Sequence, residues 1–191
     1  MSKKVSHAGN QQERLIMIGW VTGFVDGEGC FSVGFVKQSD KKEKNGNIRK
    51  GYKTGYQMFH EFAITQGESS LQSLEKIKDF FGVGNLYLNK RYDNHKEHLY
   101  RYTVRKREDL VNTIIPFFKR YGLKTAKQNN FKIFTTCMNE IVKGNHLTSA
   151  GAVKIAMLTQ KMNHKKDKSK IIRILRNQTS NSVYKSINRG R

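Results

Sequence analysis

The sequence predicts an α+β fold: an antiparallel sheet with helices on one face, in the order α-β-β-α-β-β-α, with further helices after it. Two observations predict it. Segments of alternating apolar residues come in adjacent pairs, 29–38 with 56–66 and 83–91 with 98–106. Segments of helical periodicity lie before, between and after those pairs. Strand pairs separated by helices imply an antiparallel sheet that buries one face under the helices and leaves the other open.

Each element has its own signal. Residues 13–26 read as a helix, with Ile18, Trp20, Val21, Phe24 and Val25 as core. In 29–38, Phe31, Val33 and Phe35 share one face, and Cys30, Ser32, Gly34 and Val36 the other. The loop QSDKKEKNGNIRKGYKTG follows, dense in Lys and Gly. In 56–66, Met58, Phe62 and Ile64 face one way. Residues 69–81 form a helix capped by Ser69 or Ser70, with Leu71, Leu74, Ile77, Phe80 and Phe81 as its buried stripe. Strands 83–91 and 98–106 are joined by the turn YDNHKE. Leu110, Val111, Ile114, Ile115 and Phe118 mark a helix over 108–121, and the remainder reads as helices at 124–142, 148–163 and 168–176. These limits give a flexible lead at 1–12, one domain at 13–165 and a basic helix and tail at 166–191, frayed beyond Asn177. The lone proline, Pro116, argues against a Pro-rich linker, and no internal repeat is visible.

Charge narrows the partner. Thirty-six Lys and Arg against 15 Asp and Glu give a formal net charge of +21. Self-repulsion on that scale works against compactness unless a polyanion neutralises it. Nucleic acid is favoured over a membrane surface, because no segment reads as a basic amphipathic membrane helix. The longest apolar run, Leu15 to Val25, is too short to span a bilayer and ends in carboxylates. The N-terminal MSKKVSHAGNQQER does not lead into a signal peptide. Cys30 and Cys137 make neither a disulfide framework nor a CxxC zinc site, so an intracellular, reduced setting is expected. That setting is a bacterial or archaeal cytoplasm or an organelle. The open sheet face would carry Ser32, Gln57, Glu61, Tyr87, Asn89, Arg91, Leu99, Arg101, Thr103 and Arg105, a set suited to hydrogen bonding with base edges. Gln38, Arg49 and Lys50 extend it into the loop. Lys and Arg of 37–53 and 161–176 would meet phosphates.

The segment GWVTGFVDGEG, residues 19–29, holds the chemistry. Gly19, Thr22, Gly23 and Asp26 share one helical face. A glycine inside a helix costs about 1 kcal/mol against alanine, so two on one stripe need a reason; close approach of another helix supplies one. Asp26, Gly27 and Glu28 follow. Carboxylates at a helix C-terminus oppose the helix dipole, which points to a cation. Oxygen donors suit Mg²⁺, which takes only one or two protein carboxylates. Two copies of this helix packed through the glycines would bring two Glu28 side chains together. A plain turn with solvated acids is the competing reading.

GWVTGFVDGEG resembles the motif of the LAGLIDADG homing endonucleases, with Val21–Gly29 on its nine positions and Gly27 and Glu28 replacing Ala and Asp. The downstream order of elements matches that family's αββαββα core, and the resemblance covers about residues 13–165. It implies a saddle-shaped DNA-binding sheet, Mg²⁺-dependent cleavage of a long duplex site with four-base 3′ overhangs, and, for a chain with one motif, a homodimer. Glu28 then corresponds to the metal-binding acid, Gly27 offers its carbonyl to a metal, and Asp26 lies near the helix interface. FAITQ, residues 62–66, resembles the end of the family's second strand, where Gln66 would position water. GLKTAKQNNF, residues 122–131, resembles the segment with the active-site lysine: Lys124 first, Lys127 as alternative. Some relatives carry a basic residue just after the glutamine; this chain has Gly67, Glu68, Ser69 and Ser70 there. His60 is expected to be buried, and His95 and His98 to be surface residues in a turn. Two alternatives use the same fold: an RNA-binding intron maturase and a DNA-binding regulator that does not cut.

Overall fold

The structure, a computed structural model, describes residues 7–38, 40–51, 55–92, 97–162 and 167–177. Its elements are α1 (His7–Glu28), β1 (Gly29–Lys37), β2 (Lys41–Lys42), β3 (Ile48–Arg49), β4 (Tyr56–Gly67), α2 (Leu71–Phe81), β5 (Asn85–Asn89), β6 (Leu99–Val104), α3 (Arg107–Asp109), α4 (Ile115–Arg120), α5 (Lys127–Val142), α6 (Ser149–Thr159) and a helix α7 at 169–177. The main sheet has the order β1-β4-β6-β5. The chain forms two compact units: residues up to Cys30 with Glu61–Gln128, and Phe31–His60 with the chain from Asn129 onward.

In the first unit, β6 is the central ladder. It pairs antiparallel with β4 (Phe62 with Val104, Ile64 with Tyr102, Gln66 with Tyr100) and with β5 (Leu86 with Tyr102, Leu88 with Tyr100). Because side chains alternate, Phe62, Ile64, Tyr102 and Val104 fall on one face, where all four are fully buried. Leu74, Ile77 and Phe81 of α2 and Phe118 of α4 belong to the same core. The Phe62 ring meets Phe81 and Tyr102 edge-on and Phe118 at a tilt, the arrangements that aromatic quadrupoles favour. The buried Tyr102 hydroxyl donates to the Val83 carbonyl at 2.8 Å, which satisfies it. Gly82 ends α2 in the left-handed region (φ 66°), with its N–H on the Lys78 carbonyl. A π turn, Leu110–Ile114, joins α3 to α4. Pro116 follows it; its missing N–H cannot continue the regular ladder, and the wider turn absorbs the defect.

In the second unit, Phe31 of β1 packs against Phe131 and Phe134 of α5, with ring centroids 5.1 and 5.4 Å away. Ala152 and Ala156 of α6 and Ile172 and Leu175 of α7 make a further cluster, covered by Phe35, Tyr56 and Met58. Phe31, Val33, Phe35 and Met58 therefore face the helices as their alternation predicts. Gly34, on the opposite face, is glycine because the Phe59 ring fills the space a Cβ would take.

The structure changes three expectations. Helix α1 starts at His7, so residues 7–12, read as a flexible lead, are helical. Residues 10–16 are all exposed, and an unburied turn leaves no hydrophobic period to read. The Lys-rich loop contains a small hairpin, with Lys41 opposite Arg49 and Lys42 opposite Ile48. Asn45 and Gly46 make its turn: Gly46 has φ 85°, and the Asn45 side chain accepts the Asn47 N–H at 3.1 Å. Neither Ser69 nor Ser70 caps α2 through its side chain; a short 3₁₀ turn, Glu68–Ser70, leads in, and the Ser69 N–H goes to the Glu97 carboxylate at 3.0 Å. His95 and the tail beyond Asn177 lie outside the described residues. No helix among the described residues is long and apolar enough to cross a membrane.

Candidate active site and nucleic-acid face

Helix α1 ends on its acids. Asp26, Gly27 and Glu28 are its last three residues, and β1 begins at once. Gly29 permits that abrupt change, since a Cβ there would lie 2.6 Å from Val25 Cγ1 and 2.8 Å from the Val25 carbonyl oxygen. The final carbonyls of a helix lack internal partners. Here the Lys127 ammonium supplies one, donating to the Val25 carbonyl at 3.0 Å and the Gly27 carbonyl at 2.9 Å. A cation at this end also complements the helix dipole, which the two acids oppose.

Asp26 fastens the returning chain to the same spot. Its carboxylate accepts the Lys124 N–H at 2.6 Å, the Thr125 N–H at 3.1 Å and the Thr125 hydroxyl at 2.8 Å. The Thr125 hydroxyl in turn accepts the Lys127 N–H at 3.2 Å and so caps α5. Partial desolvation pushes the Asp26 carboxyl upward. The Lys124 N–H, the Thr125 hydroxyl and N–H, and the Lys127 charge outweigh it and hold the pKa below the ordinary carboxylate value. Burial is the main effect on Lys127 and lowers its pKa, against the upward pull of Cys30, Glu28 and Asp26. Asp26→Ala is expected to destabilise the protein by about 2 kcal/mol, since hydrogen bonds to a charged group are lost. Urea denaturation checks this; an unchanged midpoint would show that the clamp contributes nothing.

These contacts sort the candidate residues. Lys127, the alternative, brings its ammonium to the helix end, whereas Lys124, the first choice, contributes its backbone N–H and has an exposed side chain. The Gly27 carbonyl, expected to face a metal, already accepts Lys127 through one lone pair. Asp26, expected at an interface, spends its carboxylate within the chain. Glu28 is exposed, and among the described residues its carboxylate has no hydrogen-bond or ion-pair partner. Gln66, half-buried near the end of β4, likewise has no side-chain hydrogen bond among the described residues. At the next position, Gly67, the Glu97 carboxylate lies where a Cβ would stand. Sequence reasoning missed Thr125 and Glu97. Thr125, two residues before a helix, carried a capping signal that could have found it; Glu97 carried none.

The glycine stripe is open. Among the described residues, nothing beyond their own helix turns lies within 4 Å of where a Cβ would stand at Gly19, Gly23 and Gly27. Leu15 and Ile16 beside them are 58% and 65% exposed. Thr22 is half-buried and returns its hydroxyl to the Ile18 carbonyl at 2.7 Å.

The sheet face opposite the core carries Tyr87, Asn89, Leu99 and Arg101, as expected, with Arg105 just beyond β6. Two members differ from expectation. Thr103 is 2% exposed and Glu61 7%, so neither can meet a partner freely. The Glu61 carboxylate binds Arg101 through one oxygen and Arg105 Nε through the other at 2.9 Å. Arg101 stands opposite Thr65, so its side chain must lie along the strand, past the Ala63–Thr103 pair, to reach Glu61. That explains the burial of Ala63 and Thr103. Arg91 is half-buried, its N–H held by His98 Nδ1 at 3.3 Å. In the second unit, Gln38 donates to Gln57 at 2.8 Å, Lys50 pairs with Asp40 at 3.0 Å, Arg49 is exposed and Ser32 is half-buried.

Residues 21–138 match the family described as LAGLIDADG endonuclease. The chain belongs to this family. Among curated relatives, a "Probable intron-encoded DNA endonuclease 1" of Mycosarcoma maydis is 28% identical over 129 residues, covering 68% of this chain and 40% of that protein. An "Uncharacterized 50.9 kDa protein in ND4 intron 1" of Podospora anserina is 31% identical over 131 residues, covering 68% of this chain and 25% of that protein. The chain thus spans a quarter to two fifths of these relatives. Among solved structures, the homing endonuclease I-TnaI is 34% identical with a TM-score of 0.65, covering 84% of this chain and 97% of that one. The LAGLIDADG homing endonuclease I-LtrWI, bound to target DNA, is 30% identical with a TM-score of 0.68, covering 81% of this chain and 47% of that one.

Proposed function

We propose that this LAGLIDADG chain is a site-specific endonuclease of duplex DNA that works as a homodimer, with Glu28 holding Mg²⁺. The observation that carries the reading is the unpartnered Glu28 carboxylate at the end of a helix whose glycine face is open. Leu15 and Ile16 on that face would each contribute about 2 kcal/mol if a second α1 buried them. The same packing would bring the two Glu28 side chains together. I-LtrWI, bound to its target, is matched over 47% of its length, the share expected of one half of a two-part enzyme.

The donor set fits Mg²⁺. Among the described residues no three or more His, Cys, Asp and Glu are placed to hold a metal ion together, and Mg²⁺ needs only one or two carboxylates, with phosphate and water completing its shell. When bound, Mg²⁺ lowers the pKa of the attacking water and neutralises charge on the phosphodiester. Glu28 supplies the anionic anchor. Lys127, held by the α1 carbonyls, places a positive charge beside it, where negative charge builds on the phosphoryl oxygens in the transition state. Gln66 is too weak a base to take a proton; its amide orients water. The excess of Lys and Arg supplies the phosphate contacts that bring duplex DNA to the sheet. Cleavage of both strands leaves four-base 3′ overhangs. The relative named for an ND4 intron supports an intron-encoded protein of an organelle.

Binding from a randomised duplex pool in Ca²⁺, followed by transfer to Mg²⁺, tests this reading. An endonuclease retains a distinct sequence and then cuts it. Retention without cutting would identify a non-cutting regulator, and selection of RNA but no duplex would identify a maturase.

A further inference from the structure

We propose that Arg105 reads a guanine on the DNA face, and that Glu61 is the positioning residue that aims it. This rests on the DNA-binding reading above and adds the base that is recognised. An arginine has a single N–H on Nε and two on each terminal nitrogen. Glu61 Oε2 takes the Nε–H of Arg105 at 2.9 Å. The terminal pair of nitrogens stays available, and the side chain is 64% exposed. That pair is a planar fork of parallel donors. It matches the O6 and N7 acceptors that guanine alone presents together in the major groove.

Glu61 decides the direction of the fork. Its side chain is 9% exposed and each oxygen is committed to one arginine. A buried carboxylate satisfied in this way is costly to displace, so the guanidinium held at Nε points away from the sheet. Arg101 is committed differently. Its guanidinium is drawn down to Glu61 over Ala63 and Thr103, and the side chain is 36% exposed. Leaving the sheet would uncover Ala63 and Thr103 and strip Glu61 of a partner. The cluster thus provides one reader, Arg105, on a floor made by Arg101. Binding to phosphate would need no such arrangement, because a phosphate accepts an arginine from many directions.

The test is selection of duplexes from a randomised pool in Ca²⁺ by wild type, Arg105→Lys, Arg105→Ala and Glu61→Gln. Wild type should select G·C at one position in each half-site. Arg105→Lys keeps the charge but not the fork; it should lose about tenfold of the preference there while keeping the preferences at other positions and the affinity for unrelated duplex. Arg105→Ala should lose the same position. Glu61→Gln should weaken that guanine preference several-fold and leave affinity for unrelated duplex equal or higher, since a negative charge has gone. The inference is overturned if Arg105→Lys retains the full preference, or if Arg105→Ala lowers affinity equally for every sequence. Arg105 is exposed, so its variants report even if Glu61→Gln fails to fold. A wild-type protein that selects no sequence at all would instead remove the DNA-binding reading itself.

Discussion

Glu28→Gln is expected to slow DNA cleavage by about a thousandfold or more while leaving duplex affinity within several-fold. Glutamine keeps the size of the side chain and its place at the end of α1, and removes only the negative charge. Glu28 is exposed and unpartnered among the described residues, so the fold should not notice the change. Single-turnover cleavage in Mg²⁺, beside gel-shift binding in Ca²⁺, separates the two effects. Cleavage at the wild-type rate would remove Glu28 from the site. Loss of binding together with cleavage would make it a DNA contact instead.

Gly23→Leu should abolish double-strand cleavage by a different route. Among the described residues of one chain, open space surrounds the position a Cβ would take at Gly23. Leucine is also the better helix former, by most of the roughly 1 kcal/mol that separates glycine from alanine. The isolated chain should therefore melt at the same temperature or higher. A leucine on the stripe would hold two α1 helices apart, so sedimentation on DNA should show one chain where wild type shows two. A destabilised monomer would mean that the face is covered within the chain. A stable dimer that still cuts would place the interface elsewhere.

Elements that bury a stripe were legible, because burial leaves a period in the sequence. Leu74, Ile77 and Phe81 marked α2, and Phe62 with Ile64 marked β4, for that reason. Elements without burial were not. Residues 10–16 of α1 and the two-residue strands at Lys41–Lys42 and Ile48–Arg49 are exposed. At the site, Glu28 and the glycine stripe stood out because both break the ordinary rules of a helix. The partners of Asp26 did not: Thr125 lies 99 residues away, and only the folded chain shows the meeting. Which of Lys124 and Lys127 brings its ammonium to the end of α1 rests on the same point, a backbone contact against a side-chain one. Thr103 had the right parity for the open face but the wrong neighbour, since Arg101 reaches along the strand past it.

The central claim is that paired Glu28 carboxylates cut both strands of one duplex. Its most direct test is incubation of wild type and Glu28→Gln with a randomised duplex library in Mg²⁺, with both cut ends sequenced to single-nucleotide resolution. Wild type should give one recurring, near-palindromic site, cut once on each strand with a four-base 3′ overhang, and Glu28→Gln should give none. Ends scattered without sequence, cuts confined to one strand, or the same ends from Glu28→Gln would contradict it.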